Sequence, residues 1–302
     1  MKDWVRLLAV RRSAKGRRSQ GGQDRILDEI FSHVPTANRP PFGVECGFNA
    51  ATLAGGTGAN VATLVQDRGW EALLLDGDHE NPSINLRREH LTSANICDVF
   101  AKWGAPPHPD YISIDVDSTD LWLFRALLPH YRAAVFSVEY NAHFPLEVAA
   151  TCADDPETRW QGDRGYGASL RALVQVAREH GYSLVAVEPG LDAFFIRDDL
   201  LDDGSAAIAP PLEHWRSATL LGVHPPVRDR RRLDMFLDYE VWRATHGDVQ
   251  AARVAAATSC HPHLVATAWP TWLARAASCL TKGRLRPVRQ PLVRPAKDEV
   301  SV

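Results

Sequence analysis

Cysteine is scarce in this 302-residue chain, and its five copies (Cys46, Cys97, Cys152, Cys260 and Cys279) are scattered with no C-x-x-C pair. That spacing excludes the usual zinc and redox motifs and fits free thiols in a reducing compartment. Long apolar runs are missing too, since nothing approaches the roughly 20 residues that a bilayer-spanning helix needs. The stretch "WVRLLAV" near the start is too short for a secretory signal and runs into arginines. Charge of one sign is not in excess: 34 Lys and Arg against 37 Asp and Glu leave a net charge of -3, with no global drive toward nucleic acid or an anionic membrane. The basic residues cluster at the two ends without interleaved aromatics for base stacking, so no nucleic-acid partner is expected. No G-K-[ST] exists to grip phosphate, and a dinucleotide G-x-G-x-x-G read from Gly56 fails at Val61. These absences predict a soluble, cytoplasmic protein with no membrane span. An Arg-rich, acid-poor start (Lys2, Arg6, Arg11, Arg12, Lys15, Arg17 and Arg18 against Asp3) leaves organelle targeting as the alternative.

The 45% of hydrophobic residues is enough for a full core in a chain of this length. "DRILDEIFSHV" has helical apolar spacing at Ile26, Leu27, Ile30, Phe31 and Val34, and Pro35 stops it. "FGVECGF", "EALLLDGD", "YISIDVD" and "AVFSVEYN" read as buried strands. Between them lie "VATLVQDRGW", a polar helix around Asn81 to His90, and "LWLFRALLPHY". Strands alternating with helices at this interval predict an α/β fold, a mostly parallel sheet with helices on both faces. A helix from about Ser169 to His180 and the strand in "LDAFFIRDDL" continue it. The expected organisation is a basic flexible arm over 1–18, an α/β domain over 19–200, a helical C-terminal extension over 201–280 and a basic disordered tail over 281–302.

Sheets of this kind bind ligands at the carboxyl ends of their strands, which gives the acids there a use. The glycine-rich "VECGFNAATLAGGTG" follows the first strand and is a weak signal alone. In "LLLDGD", Asp76 sits where a carboxylate would hold a ribose, with Asp78 as a helix N-cap in the plainer reading. Asp115, Asp117, Glu139 and Asn141 converge if "YISIDVD" and "VFSVEYN" are neighbours. Three carboxylates and an amide oxygen are hard ligands suited to Mg²⁺ or Ca²⁺. Without metal they would repel one another and make a proton acceptor, and the third reading has Asp117 and Asp120 only capping the next helix. His143 is a candidate general base, and His79 and Trp160 are further candidates for lining the cleft.

"SQGGQDRILDEIF", "VECGF", "GWEALLLDGD", "SANICDVFAKWGAP", "YISIDVDSTDLWLFRAL", "VFSVEYN" and the "YGASL" to "FFIR" block occur in one order. Together they resemble FkbM-like class I S-adenosylmethionine-dependent methyltransferases over about Ser19 to Asp199. The resemblance implies a Rossmann-like class I methyltransferase sheet with a reversed last hairpin and S-adenosylmethionine as cofactor. Glu45 and Gly47 would form the methionine-side turn, Asp76 would hold the ribose, and Asp115 and Asp117 would face the sulfonium and substrate. The metal set Asp115, Asp117, Glu139 and Asn141 also resembles, in position only, the divalent site of catechol O-methyltransferase. The chain departs from the family pattern at Ala50, Ala51, the added "TLAGGTG" and Ser118. The expected activity is methyl transfer to an oxygen of a small molecule or sugar, with or without Mg²⁺ or Ca²⁺, and with Asp117 and His143 as catalytic groups. The alternative is a non-catalytic nucleoside-binding or scaffold protein on the same fold.

Overall fold

The inner strands of the central sheet carry apolar residues on both faces, so they need a helical layer on either side. The computed structural model describes residues 1–10, 16–53, 59–202, 209–215 and 224–265 and supplies both layers. The seven strands are β1 (Phe42–Cys46), β2 (Glu71–Asp76), β3 (Leu86–Arg88), β4 (Tyr111–Ile114), β5 (Val135–Glu139), β7 (Tyr182–Val187) and β8 (Asp192–Arg197). They lie in the order β3-β2-β1-β4-β5-β8-β7. The strands from β3 to β5 run parallel, whereas β8 is antiparallel to both β5 and β7. This is an α/β protein with a mostly parallel mixed sheet, compatible with a Rossmann-like fold.

Alternate residues of each strand face opposite layers. Val44, Leu73, Ile112, Phe136 and Phe195 pack with α4 (Ile96–Lys102), α5 (Asp120–Leu127) and α6 (Leu170–Glu179). Leu74, Tyr111, Val135, Phe194 and Ile196 pack with α1 (Asp3–Val10), α2 (Gln23–His33) and α3 (Ala62–Arg68). Local chemistry sets the helix ends. Ser169 caps α6 by accepting from Ala172 N–H, and Gly69 takes the left-handed conformation that closes α3.

Two expectations change. Residues 81–90, read as a polar helix, form a single 3-10 turn (Pro82–Ile84) and strand β3. Pro82 opens the turn and Asn85, at φ +55°, ends it, after which Leu86 is buried against β2. The 1–18 segment read as a flexible arm begins with helix α1, whose Val5 and Leu8 are buried. Each such side chain contributes about 1.5–3 kcal/mol when fully buried, so this helix is part of the domain.

Helix α7 (Asp198–Leu201) follows β8, and the C-terminal extension contains β9 (Phe236–Asp238), α8 (Tyr239–Ala244), α9 (Val249–Ser259) and α10 (His261–Val265). β9 pairs antiparallel with β6 (Ala150–Cys152) in a second, two-stranded sheet. Asp238 and Asp248 cap α8 and α9 through Val241 N–H and Ala251 N–H. Trp242 meets Trp122 of α5 edge-to-face at 4.8 Å between ring centres, so this tryptophan packs the helical layer onto the α/β body. Cys46, Cys152 and Cys260 are buried free thiols. Among the described residues, no helix is long and apolar enough to cross a membrane. The glycine-rich residues 54–58 and the basic tail 281–302, with Trp269, Trp272 and Cys279, lie outside the described residues.

Candidate functional site

Parallel strands in register put residues of like parity on one face. Glu45 is level with Ser113, Ser113 with Ser137, and Glu139 with Asp192. Polar side chains therefore form rows across β1, β4, β5 and β8 at the carboxyl edge of the sheet, with Asp115 one step beyond Ser113.

Glu45 is buried, and its two oxygens accept from Asn60 N–H (2.8 Å) and Val61 N–H (2.9 Å). It ties β1 to the start of α3. Burial raises its pKa to about 8, against the pull of those two N–H groups. Gly47 follows at φ +85° and donates to Leu75 O. A Cβ there would stand 1.6 Å from Asp115 O, so only glycine lets the ends of β1 and β4 close on each other. Gly47→Ala is expected to destabilise the protein by about 2–5 kcal/mol, combining left-handed strain with a backbone clash. A chemical denaturation midpoint checks this, and an unchanged midpoint would contradict the close approach.

Asp76 joins the loops after β1 and β2. Its Oδ2 accepts from Asn49 N–H at 2.9 Å, while Oδ1 takes Asp78 N–H, His79 N–H and the His79 ring. Burial pushes its pKa up, but these donors outweigh it and hold the carboxyl below the ordinary range. Asp78 caps no helix; Asn81 caps the 3-10 turn. His79 reaches the site as a partner of Asp76.

Asp115, Asp117 and Glu139 come together, each offering a carboxylate oxygen within 4.8 Å of the others. Burial raises all three pKa values, and for Asp115 and Glu139 neighbouring carboxylates push further in the same direction. Glu139 Oε2 is buried without a hydrogen-bond partner among the described residues. Asp117 sits at φ +58°, a left-handed position that aspartate tolerates better than most residues. Asp120 is the first residue of α5, and its carboxylate folds back to accept from Val116 N–H (2.7 Å) and Ser118 N–H (3.0 Å). Asp120 thus shapes the Asp115–Asp117 loop, and burial raises its pKa to about 7.

Two candidates take other roles. Asn141, read as a metal ligand, is fully buried and donates both amide hydrogens, to Arg164 O and Tyr166 O, each at 2.8 Å. Its Oδ1 accepts from His143 N–H. The side chain therefore fastens residues 164–168 to the end of β5. Asn141→Ala would strand two carbonyls and is expected to cost about 2–4 kcal/mol, with hydrogen exchange rising over 164–168. Unchanged exchange there would refute the fastening. His143, read as a general base, has its pKa lowered to about 3 by burial first, then by Arg164 and His224. A base with so acidic a conjugate acid accepts protons poorly near neutral pH.

Asp192 belongs to the cluster although it opens its strand. Because β8 runs backwards, its first residue lies beside the last residue of β5. Asp192 Oδ2 accepts from Gln23 Nε2 (3.0 Å) and Asn60 Nδ2 (3.3 Å), and burial raises its pKa to about 6. Nothing local in the sequence marked Asp192, Gln23 or Asn60 as members of the site.

The donors suit a hard divalent cation. Mg²⁺ and Ca²⁺ take oxygen ligands at about 2.0–2.6 Å, so oxygens on opposite sides of the ion stand about 4–5 Å apart, comparable to the spread of these three. Comparison with protein-family models and with curated proteins returns no match to this chain. Fold and site define an α/β protein, compatible with a Rossmann-like fold, with a half-buried acidic cluster at the carboxyl edge of its parallel strands.

Proposed function

We propose that the chain is an S-adenosylmethionine-dependent methyltransferase acting on an oxygen nucleophile, assisted by a divalent cation. The observation that carries this reading is the convergence of Gly47, Asp76 and the Asp115/Asp117/Glu139 triad at one edge. Asn49 N–H is bonded to Asp76, and Gly47 abuts the backbone of Asp115. The reversed β8 is the last-hairpin arrangement that the family resemblance implies, and it supports the same reading.

The residues fit the two groups unequally. Asp115, Asp117 and Glu139 would hold the cation, and the orphaned Glu139 oxygen is an acceptor awaiting one. Asp76 would hold the ribose through Oδ2, which accepts a single hydrogen bond from the chain. Glu45 acts at a remove, by anchoring α3. When bound, the donor supplies an electrophilic methyl group and the cation lowers the acceptor hydroxyl's pKa. The chain's own work is alignment, a term worth roughly 7–11 kcal/mol in well-oriented reactions, and removal of the proton. Asp117 would take that proton at the carboxylate oxygen not turned to the cation.

Calorimetry of the full chain with S-adenosylmethionine and S-adenosylhomocysteine, with and without Mg²⁺, tests the reading. Binding of both, strengthened by Mg²⁺ in the presence of acceptor, is expected. No binding of either would end it and leave the scaffold alternative.

A further inference from the structure

We infer that Arg232, in the C-terminal extension, is a positioning residue for the cation site: by gripping residues 163–165 it holds the end of β5, and with it Glu139, where the triad needs it. The inference rests on the reading of Asp115, Asp117 and Glu139 as cation ligands and names the remote group that sets their geometry.

Glu139 Oε2 is buried with no hydrogen-bond partner among the described residues, so its place in the triad is set by the backbone that carries it. Asn141, two residues on, ties that backbone to the segment 164–168. Its N–H donates to Ala168 O at 2.7 Å, and its side-chain amide donates to Arg164 O and Tyr166 O. The same segment approaches the other half of the cluster, since a Cβ on Gly167 would stand 3.7 Å from Asp120 Oδ2, and Asp120 shapes the Asp115–Asp117 loop. Groups that orient metal ligands without touching the metal change its affinity by about 10–100-fold when removed.

Residues 163–165 are held in turn by the extension. Arg232 pairs with Asp163, the two side chains being only 12% and 14% exposed, and also donates to Gly165 O at 3.2 Å. One guanidinium thus grips both ends of the tripeptide, which suits its planar fork of donors. Gly165 admits it, because a Cβ there would stand 3.1 Å from both Arg232 Nη2 and Asp163 Oδ1. Between them, Arg164 N–H donates to Pro225 O at 3.0 Å and Arg164 Nε to His224 O at 3.1 Å. Trp160, read as lining the cleft, joins this anchorage: its indole N–H donates to Asp163 O at 2.6 Å and its ring meets His224 edge-to-face at 4.9 Å. Arg232 is itself well placed. It lies on a 3-10 turn (Arg230–Met235) whose Asp229 cap accepts from Arg231 N–H and whose Leu233 is buried, directly before β9 and its pairing with β6. An ion pair this enclosed cannot lose one member without stranding the other's charge, so releasing Arg232 releases the segment.

Calorimetry of the full chain with Ca²⁺ alone and with Mg²⁺ alone, well below the melting transition, tests this. Arg232→Met is expected to bind the cation about tenfold more weakly. Asp163→Asn should do the same, and, being close in shape, it decides the matter if Arg232→Met does not fold. The double variant should be little worse than either single one, because both remove one pair. Arg232→Lys keeps the ion pair and gives up the Gly165 bond, so it should recover most of the affinity. Asp248→Ala removes the α9 cap and weakens the extension away from 163–168; it should lower the melting temperature and leave cation affinity unchanged. Unaltered affinity in Asp163→Asn and Arg232→Met, or an equal loss in Asp248→Ala, overturns the positioning role while the triad keeps its cation. An unaltered protein that binds neither cation overturns the cation reading itself, and the positioning role with it.

Discussion

Asp117→Asn is expected to lower methyl transfer by at least about 10²-fold and to abolish stabilisation by Mg²⁺ or Ca²⁺, while the fold survives. Asparagine is the right probe because position 117 lies at φ +58°, where it is tolerated almost as well as aspartate. Asp117→Ala should be equally inactive but less stable, since alanine pays about 1–2 kcal/mol for the left-handed backbone. The carboxylate's removal also relieves repulsion on Asp115 and Glu139, for each of which Asp117 is among the neighbours that raise the pKa. The metal-free Asp117→Asn protein should therefore melt at or above the temperature of the unaltered chain. Turnover assays and melting curves across a Mg²⁺ series check this. Full activity with intact cation stabilisation would remove Asp117 from both roles.

The second large effect is a fall in metal-free stability from about pH 6.5 to 8.5. Glu45, Asp120 and Asp192 have folded-state pKa values raised to about 8, 7 and 6, above those of the unfolded chain. Their stabilising contribution is complete below about pH 4 and is lost as pH rises through those values. Each acid protonated in the fold and ionised in the chain lowers stability by about 1.4 kcal/mol per pH unit. Below about pH 6.5 histidines oppose this trend. His143, lowered to about 3, and the lowered His224 and His263 are neutral in the fold, so they stabilise above the ordinary histidine pKa and lose that contribution as pH falls. Mg²⁺ or Ca²⁺ should flatten the alkaline limb, because a cation favours the ionised triad. Denaturation in EDTA and in Mg²⁺ across this range measures it, and stability rising steadily to pH 8.5 in EDTA would contradict the burial of these acids.

Much of the site was visible as acids ending apolar runs. "LLLD", "YISID" and "VFSVE" each end in the carboxylate that the structure brings to the sheet edge. Asp192 was not visible as a member, because it begins its run, and only the reversed pairing of β8 with β5 carries it to the same edge. Asn141 and His143 were read from proximity in sequence to Glu139. Their roles depend instead on Arg164, Tyr166 and His224, more than twenty residues away, whose carbonyls and rings claim them. Strand β3 was hidden for a different reason. Its three residues, Leu86–Arg88, are too few to show a period, and the polar residues around them have helical propensity.

The sequence by itself determined the alternation of strands and helices, the glycine at position 47 and the acids that close β2, β4 and β5, because periodicity and residue chemistry are local properties. The tertiary structure alone decided that Asp192 lies beside Glu139, that Asn141 is a fastener and that the C-terminal extension reaches residues 163–165 through Arg232 and His224. Those outcomes depend on which distant donors and acceptors find each other when buried, and a buried polar group takes whichever partner the packed chain presents.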